Sequence, residues 1–281
     1  MLSSPWEKTM NWEPSEIVDF DASHLADREY MTHLVPMLED HQLLILRGQE
    51  HLSLKDHLAL TSHFGAIAPS LAADTAHPSS SGMQLMERLQ LRQAPRQSRI
   101  SSSYYWHTDR SFLQLPPAVT TLHAQILPAK GGDTLFANMV NAYEVAARHG
   151  LPIDDVRAVH SYASYFRDLQ PMFYDLTDIS KALELFPDVT HPLVRIMASS
   201  RKRALHLSEL CLTHLVGLPE KEGADLLDSL YKIALDPANI YSHRWHAGDL
   251  LIWSNFGVMH RGNPCEGARR LNRTVAGQLA D

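Results

Sequence analysis

Apolar runs too short to stand as helices lie near both ends of this 281-residue chain, and most of its helical periodicity falls between them. Residues 42–46, QLLIL, form a continuous apolar run closed by Arg47-Gly48, which suits a strand buried on both faces. Residues 17–20 read as a short strand before it. Residues 118–126 have the β-branched content of a strand, and 134–138, after the Gly131-Gly132 turn, read as its neighbour. Residues 194–197 and 204–207 pair across the turn Ser199-Ser200-Arg201-Lys202, and 241–245, 249–253 and 271–276 close the series. Helices are expected at 27–39, from Ser53 (with Asp56 three later) to Phe64, and at 142–148, 152–160 and 220–235. Strands divided between the two ends must close on one another. The expected fold is therefore mainly β with helices, a double-stranded β-helix (jelly roll) core decorated by helices, in a single domain over 1–281.

Residues 66–103 are rich in Ser, Pro, Gln and Arg, with one apolar island at 83–86. A loop of this length inside a domain is more often functional than accidental, so it is read as a lid. A formal charge of -7 argues against nucleic acid or an anionic membrane as the main partner and leaves small molecules. Two cysteines, Cys211 and Cys265, make no disulfide framework, and neither a signal peptide nor an apolar run of about 18 residues is seen. A cytoplasmic protein is expected.

The chemistry centres on SYYWHTDRSFL, residues 103–113. Chance alone would supply about two His-x-Asp/Glu pairs in a chain with 17 histidines and 32 acidic residues, so His107-Thr108-Asp109 needs company. On a short strand, positions i and i+2 point to one face, as two ligands of one ion require. Two imidazoles and a carboxylate on one face of an octahedron leave three positions open, the arrangement for ferrous iron that binds a cosubstrate and oxygen together. The third ligand should be a histidine on another strand. His33, His57 and His214 lie on helical stretches, and His51, His149 and His191 near turns; His260 stands apart, in GDLLIWSNFGVMHRGNP.

Together WHTD (106–109), GGDTLF (131–136), GDLLIWSNFGVMHR (248–261) and Arg269-x-x-x-Arg273 resemble, in order and over most of the chain, the iron(II)- and 2-oxoglutarate-dependent dioxygenases of the taurine dioxygenase (TauD/TfdA) family. The resemblance implies that His107, Asp109 and His260 are the catalytic iron ligands. It implies that Thr134 and Arg269 bind the distal carboxylate of 2-oxoglutarate, with the adjacent Arg270 as the alternative to Arg269. Arg273 resembles an arginine that faces the anionic end of the substrate or the inner carboxylate of the cosubstrate. The cofactors implied are Fe(II), 2-oxoglutarate and O2, and the reaction an oxidation, by hydroxylation first of all, with release of succinate and carbon dioxide. Desaturation, cyclisation and carbon–heteroatom cleavage are alternative outcomes.

If Arg273 faces the substrate, the favoured partner is a small molecule carrying a carboxylate, sulfonate or phosphonate. Taurine is disfavoured, since AIAPSLAA (66–73) lacks the histidine that the family's taurine enzymes place there. Tyr104, Tyr105, the island at 83–86 and residues 161–174 are candidate walls, and Tyr162, Tyr165 and Phe166 could equally seal the barrel. Self-association is open. A zinc hydrolase, or a binding module without metal, are the remaining readings of the same residues.

Overall fold

The computed structural model describes residues 12–18, 20, 25, 31–69, 84–88, 104–164, 184 and 186–277. In chain order the elements are β1 (Ser15–Ile17), α1 (Leu34–His41), β2 (Leu43–Leu46), α2 (Leu54–Ser62), β3 (Gln84–Arg88), β4 (Val119–Ile126), β5 (Lys130–Gly131), β6 (Thr134–Asn138) and α3 (Met139–Arg148). They continue with β7 (Arg157–His160), β8 (Val189–Pro192), β9 (Val194–Ile196), β10 (Arg203–Leu205), β11 (Leu212–Val216), α4 (Glu220–Ala234), β12 (Ile240–His243), β13 (Leu250–Ser254), β14 (Val258–Gly262), β15 (Cys265–Glu266) and β16 (Arg269–Ala276).

The larger sheet runs β1-β2-β13-β4-β16-β3, bringing both ends of the chain together. Two of its inner strands, β2 and β13, are apolar on both faces for a visible reason. Leu44, Leu46, Leu250 and Ile252 pack outward with Leu34, Leu38, Leu60 and Phe64 of α1, α2 and the turn after α2. Leu43, Ile45, Leu251 and Trp253, the alternate positions, face inward onto Phe136, Val258 and Leu271. Each such leucine or isoleucine, fully buried, contributes about 1.5–3 kcal/mol. The smaller sheet, β12-β6-β14, lies across this inner layer, which gives the jelly roll its two walls. A third cluster packs α3 and α4 against β10 and β11.

Helix α2 begins as its sequence indicates: Ser53 Oγ accepts the N–H of Asp56 and donates to its carboxylate at 2.6 Å. The hairpin β9–β10 and strands β4, β12, β13 and β16 stand where periodicity puts them. Four expectations fail. Residues 134–138 are not the neighbour of β4: Gly131 and Gly132, both at positive φ (69° and 84°), carry the chain into the other sheet. No helix spans 152–160; the chain turns after Pro152, then alternates exposed and buried positions in β7, which is bonded on both sides, by β8 and β11. His214 lies on β11, not on a helix. His107 and Asp109 do not share a strand, as described below.

Of the lid reading, residues 66–69 run beside the end of β16, and the island at 83–86 overlaps β3, which edges the larger sheet. The rest of it, with Tyr165, Phe166 and most of 161–174, lies outside the described residues; Tyr162 is buried. Both cysteines are free, and no helix among the described residues is long and apolar enough to cross a membrane.

Candidate metal centre

Backbone pairing brings the two histidines together. His107 N–H donates to His260 C=O at 3.0 Å and His260 N–H returns to His107 C=O at 2.9 Å, an isolated antiparallel bridge at the edge of β14. Their rings lie 4.3 Å apart, centroid to centroid. Trp106 and Thr108 on either side of His107 bind the segment 207–209. Trp106 exchanges bonds with Glu209 (N–H to Oε2 2.7 Å, C=O from N–H 2.9 Å), and Thr108 Oγ1 donates to Leu207 C=O.

Asp109 then enters by a turn, not by the pleat of a strand. The chain bends at once, with Arg110 at φ +52°. Asn255, fully buried, holds the bend: its Oδ1 accepts Asp109 N–H at 2.8 Å, and its Nδ2 donates to the carbonyls of Asp109 (2.9 Å) and Pro117 (2.8 Å). Thr120 Oγ1 donates to Asp109 Oδ2 at 2.6 Å and turns the other oxygen, Oδ1, toward the imidazoles. Oδ1 lies 3.8 Å from His107 Nε2 and 3.7 Å from His260 Nε2, and one donor atom from each of the three residues falls within 4.8 Å of the others.

The protonation states suit a cation. His107 Nδ1 lies 2.8 Å from the Tyr105 carbonyl, which can only accept, so Nδ1 carries the hydrogen and Nε2 presents its lone pair. Burial lowers the pKa of His107 against the pull of Asp109, and burial with the neighbouring His107 pushes His260 down to about 3. Burial alone would raise the Asp109 pKa, but Arg273, His260 and His107 outweigh it and hold the carboxyl well below its usual range. Arg273 Nη2 sits 2.6 Å from Asp109 Oδ1, supplying the positive charge that a divalent ion would supply there. Two neutral imidazoles and one ionised carboxylate fit iron(II).

Beyond this cluster lies a second polar group. Thr134 opens β6 and Arg269 opens β16, and the Arg269 guanidinium reaches Thr134 Oγ1 at 3.4 Å, both side chains buried. Arg269, Leu271 and Arg273 alternate along one face of β16, and Leu271 packs inside the barrel. Gly132 makes room for the arginine stem: a Cβ there would stand 3.4 Å from Arg269 Cδ and 2.9 Å from Pro128 Cγ. Sequence reasoning missed Asn255, Thr120 and Trp245, which donates to Thr134 Oγ1 at 3.1 Å; Asn255 and Trp245 stand in or beside the GDLLIWSNFGVMHR phrase, but nothing local marks their partners.

The model of the family described as "Taurine catabolism dioxygenase TauD, TfdA family" matches residues 5–275. The chain is 30% identical over 257 residues to the alpha-ketoglutarate-dependent 2,4-dichlorophenoxyacetate dioxygenase of Cupriavidus pinatubonensis, covering 88% of this chain and 87% of that one. It is 26% identical to the pentalenolactone F synthase of Streptomyces arenae, covering 91% and 88%. The crystal structure of a candidate alpha-ketoglutarate dependent 2,4-D dioxygenase from Burkholderia xenovorans superposes with a TM-score of 0.77 at 28% identity, over 93% of this chain and 92% of that one.

Proposed function

The chain belongs to the TauD/TfdA family of 2-oxoglutarate-dependent non-haem iron dioxygenases, and from that premise we propose that it hydroxylates a small organic anion at a centre built by His107, Asp109 and His260. The observation that carries this reading is the convergence of those three donors within 4.8 Å, in the protonation states a cation requires. Iron(II), when bound there, supplies the oxidising chemistry by which oxygen and 2-oxoglutarate yield succinate, carbon dioxide and an oxidised substrate.

The protein's own contribution is placement. Tyr105 and Thr120 aim the ligand atoms of His107 and Asp109, and Asn255 ties the Asp109 turn and the approach to β4 to the turn after β13. Arg269 and Thr134 receive the distal carboxylate of 2-oxoglutarate, a guanidinium and a hydroxyl offering charge-assisted bonds in a buried setting. Arg273, bonded to Asp109 Oδ1, loses that attraction when a cation takes the oxygen, and turns to an anion beside the metal, either the acid of the substrate or the inner carboxylate of the cosubstrate. The phenoxyacetate named for the relative from Cupriavidus is such an acid and supports an anionic substrate. A hydrolytic zinc site would leave the Arg269–Thr134 pair without a use.

Anaerobic titration of the metal-free protein with ferrous iron, then 2-oxoglutarate, tests the reading. A weak visible charge-transfer band should form in wild type and require far more 2-oxoglutarate in Arg269→Ala. A wild type that forms no band sinks the proposal. Succinate release then screens carboxylates, sulfonates and phosphonates as substrates.

A further inference from the structure

A hydroxyl oxygen has two lone pairs and one hydrogen. At Thr134 two donors approach that oxygen: Trp245 Nε1 at 3.1 Å and Arg269 Nη2 at 3.4 Å. An indole N–H and a guanidinium N–H can only donate, so both lone pairs are engaged and the hydroxyl hydrogen is the group left to give. A hydroxyl with a free rotor could equally turn its hydrogen to a nearby backbone carbonyl; one that accepts twice cannot choose.

We propose that Trp245 is a positioning residue that fixes Thr134 as a hydrogen donor, and that through Thr134 it makes the site select a 2-oxo acid carrying a second, distal carboxylate. The proposal rests on the reading of Thr134 and Arg269 as the cosubstrate clamp. Trp245 is itself firmly held. Its ring lies under the Arg269 guanidinium, 5.8 Å from centroid to Cζ, and against the edge of His243 at 4.8 Å and 88°. His243 Nε2 is 3.0 Å from the buried Asp249 carboxylate, which also takes Arg47 Nη1 at 2.6 Å and His246 N–H at 2.7 Å. His243 stands opposite Thr134 in the β12–β6 register, so the support and the hydroxyl it orients share one rung of the sheet. Arg269, Trp245 and His243 thus form a chain of contacts whose far end is anchored by an ion pair, and it holds the indole with its N–H on Thr134 Oγ1.

The test uses zinc as a redox-inert occupant of the metal site, so that no turnover is needed. Binding of 2-oxoglutarate is compared by calorimetry with that of 2-oxopentanoate, which replaces the distal carboxylate by a methyl group. Trp245→Phe should weaken 2-oxoglutarate about tenfold, the scale of one hydrogen bond to a charged partner, and leave 2-oxopentanoate within about twofold. In a Thr134→Val background the same substitution should cost nothing more. Equal loss for both acids, or losses that add in the double variant, would show a merely structural tryptophan and overturn the proposal. A wild type that binds both acids alike overturns the clamp reading instead, and this inference with it. If Trp245→Phe does not fold, the indole N–H resonance of the wild type decides. It should move on addition of 2-oxoglutarate and stay still with 2-oxopentanoate; the same movement with both would overturn the proposal.

Discussion

Asn255 gives one acceptor and two donor bonds to backbone groups that lie 146 and 138 residues away in the chain, and it does so fully buried. Removing such an amide strands a buried N–H and two carbonyls, at about 1–3 kcal/mol each if unrelieved. Asn255→Leu should therefore destabilise the fold by roughly 3 kcal/mol and weaken metal binding as the Asp109 turn loosens, read from the denaturation midpoint and from a zinc titration. A midpoint that falls while metal affinity holds would separate Asn255 from the site. Gly132→Ala should cost about 1–3 kcal/mol by thermal melting, because φ is +84° and the new Cβ meets Pro128 and Cys265. The residues of the cluster were legible through the resemblance of short phrases. Asn255, though inside one of them, was not: an asparagine in a turn has many ordinary reasons to be there, and only folding shows where its amide points.

Elements were legible where one physical cause dominates. Ser53 with Asp56 announces the start of α2 in any context, and Ser53→Ala should remove about 1 kcal/mol, measurable by chemical denaturation; an unchanged midpoint would mean that helix packing alone sets the start. The QLLIL run was equally readable, since a strand with helices on one side and a second sheet on the other has no polar face to show. That uniformity also hides information: with both faces apolar, nothing in the run says which leucines look inward. Adjacency misled at 134–138. Consecutive strands usually pair, but two left-handed glycines form a corner, and a corner sends the strand to the other wall of the barrel. The HTD turn misled for a related reason, because His107 owes its place to a pairing with His260, 153 residues on, which no local pattern encodes.

Across the whole molecule, the histidines outside the metal cluster set how it meets acid. His57 and His160 are pushed down to about 3 and His206 well below its ordinary value, in each case chiefly by burial. The folded state holds them neutral, while the unfolded chain protonates them near 6.5. Because the folded pKa is the lower one, their full contribution is present above pH 6.5 and is lost as pH falls toward 3, at about 1.4 kcal/mol per pH unit for each group. Three groups give a slope of roughly 4 kcal/mol per unit below pH 6.5, a large share of a typical stability margin of about 5–15 kcal/mol over one or two pH units. The loss also reaches the site. Arg195 donates to His191 Nδ1 at 3.1 Å, so His191 Nε2 carries the hydrogen that bridges the carbonyls of Ser111 and Leu113, in the turn that follows Asp109. His160 and His206 pack against that ring at 5.3 and 5.1 Å and against each other at 4.6 Å, so charging either one places it beside the Arg195 cation and pries the group apart. His160→Phe keeps the stacked ring and removes two buried nitrogens that have no hydrogen-bond partner among the described residues. Melting temperatures taken from pH 7.5 to 5 should fall steeply in wild type and less steeply in His160→Phe, with the variant the more stable at pH 5; parallel curves would show that His160 is not among the groups that acid titrates.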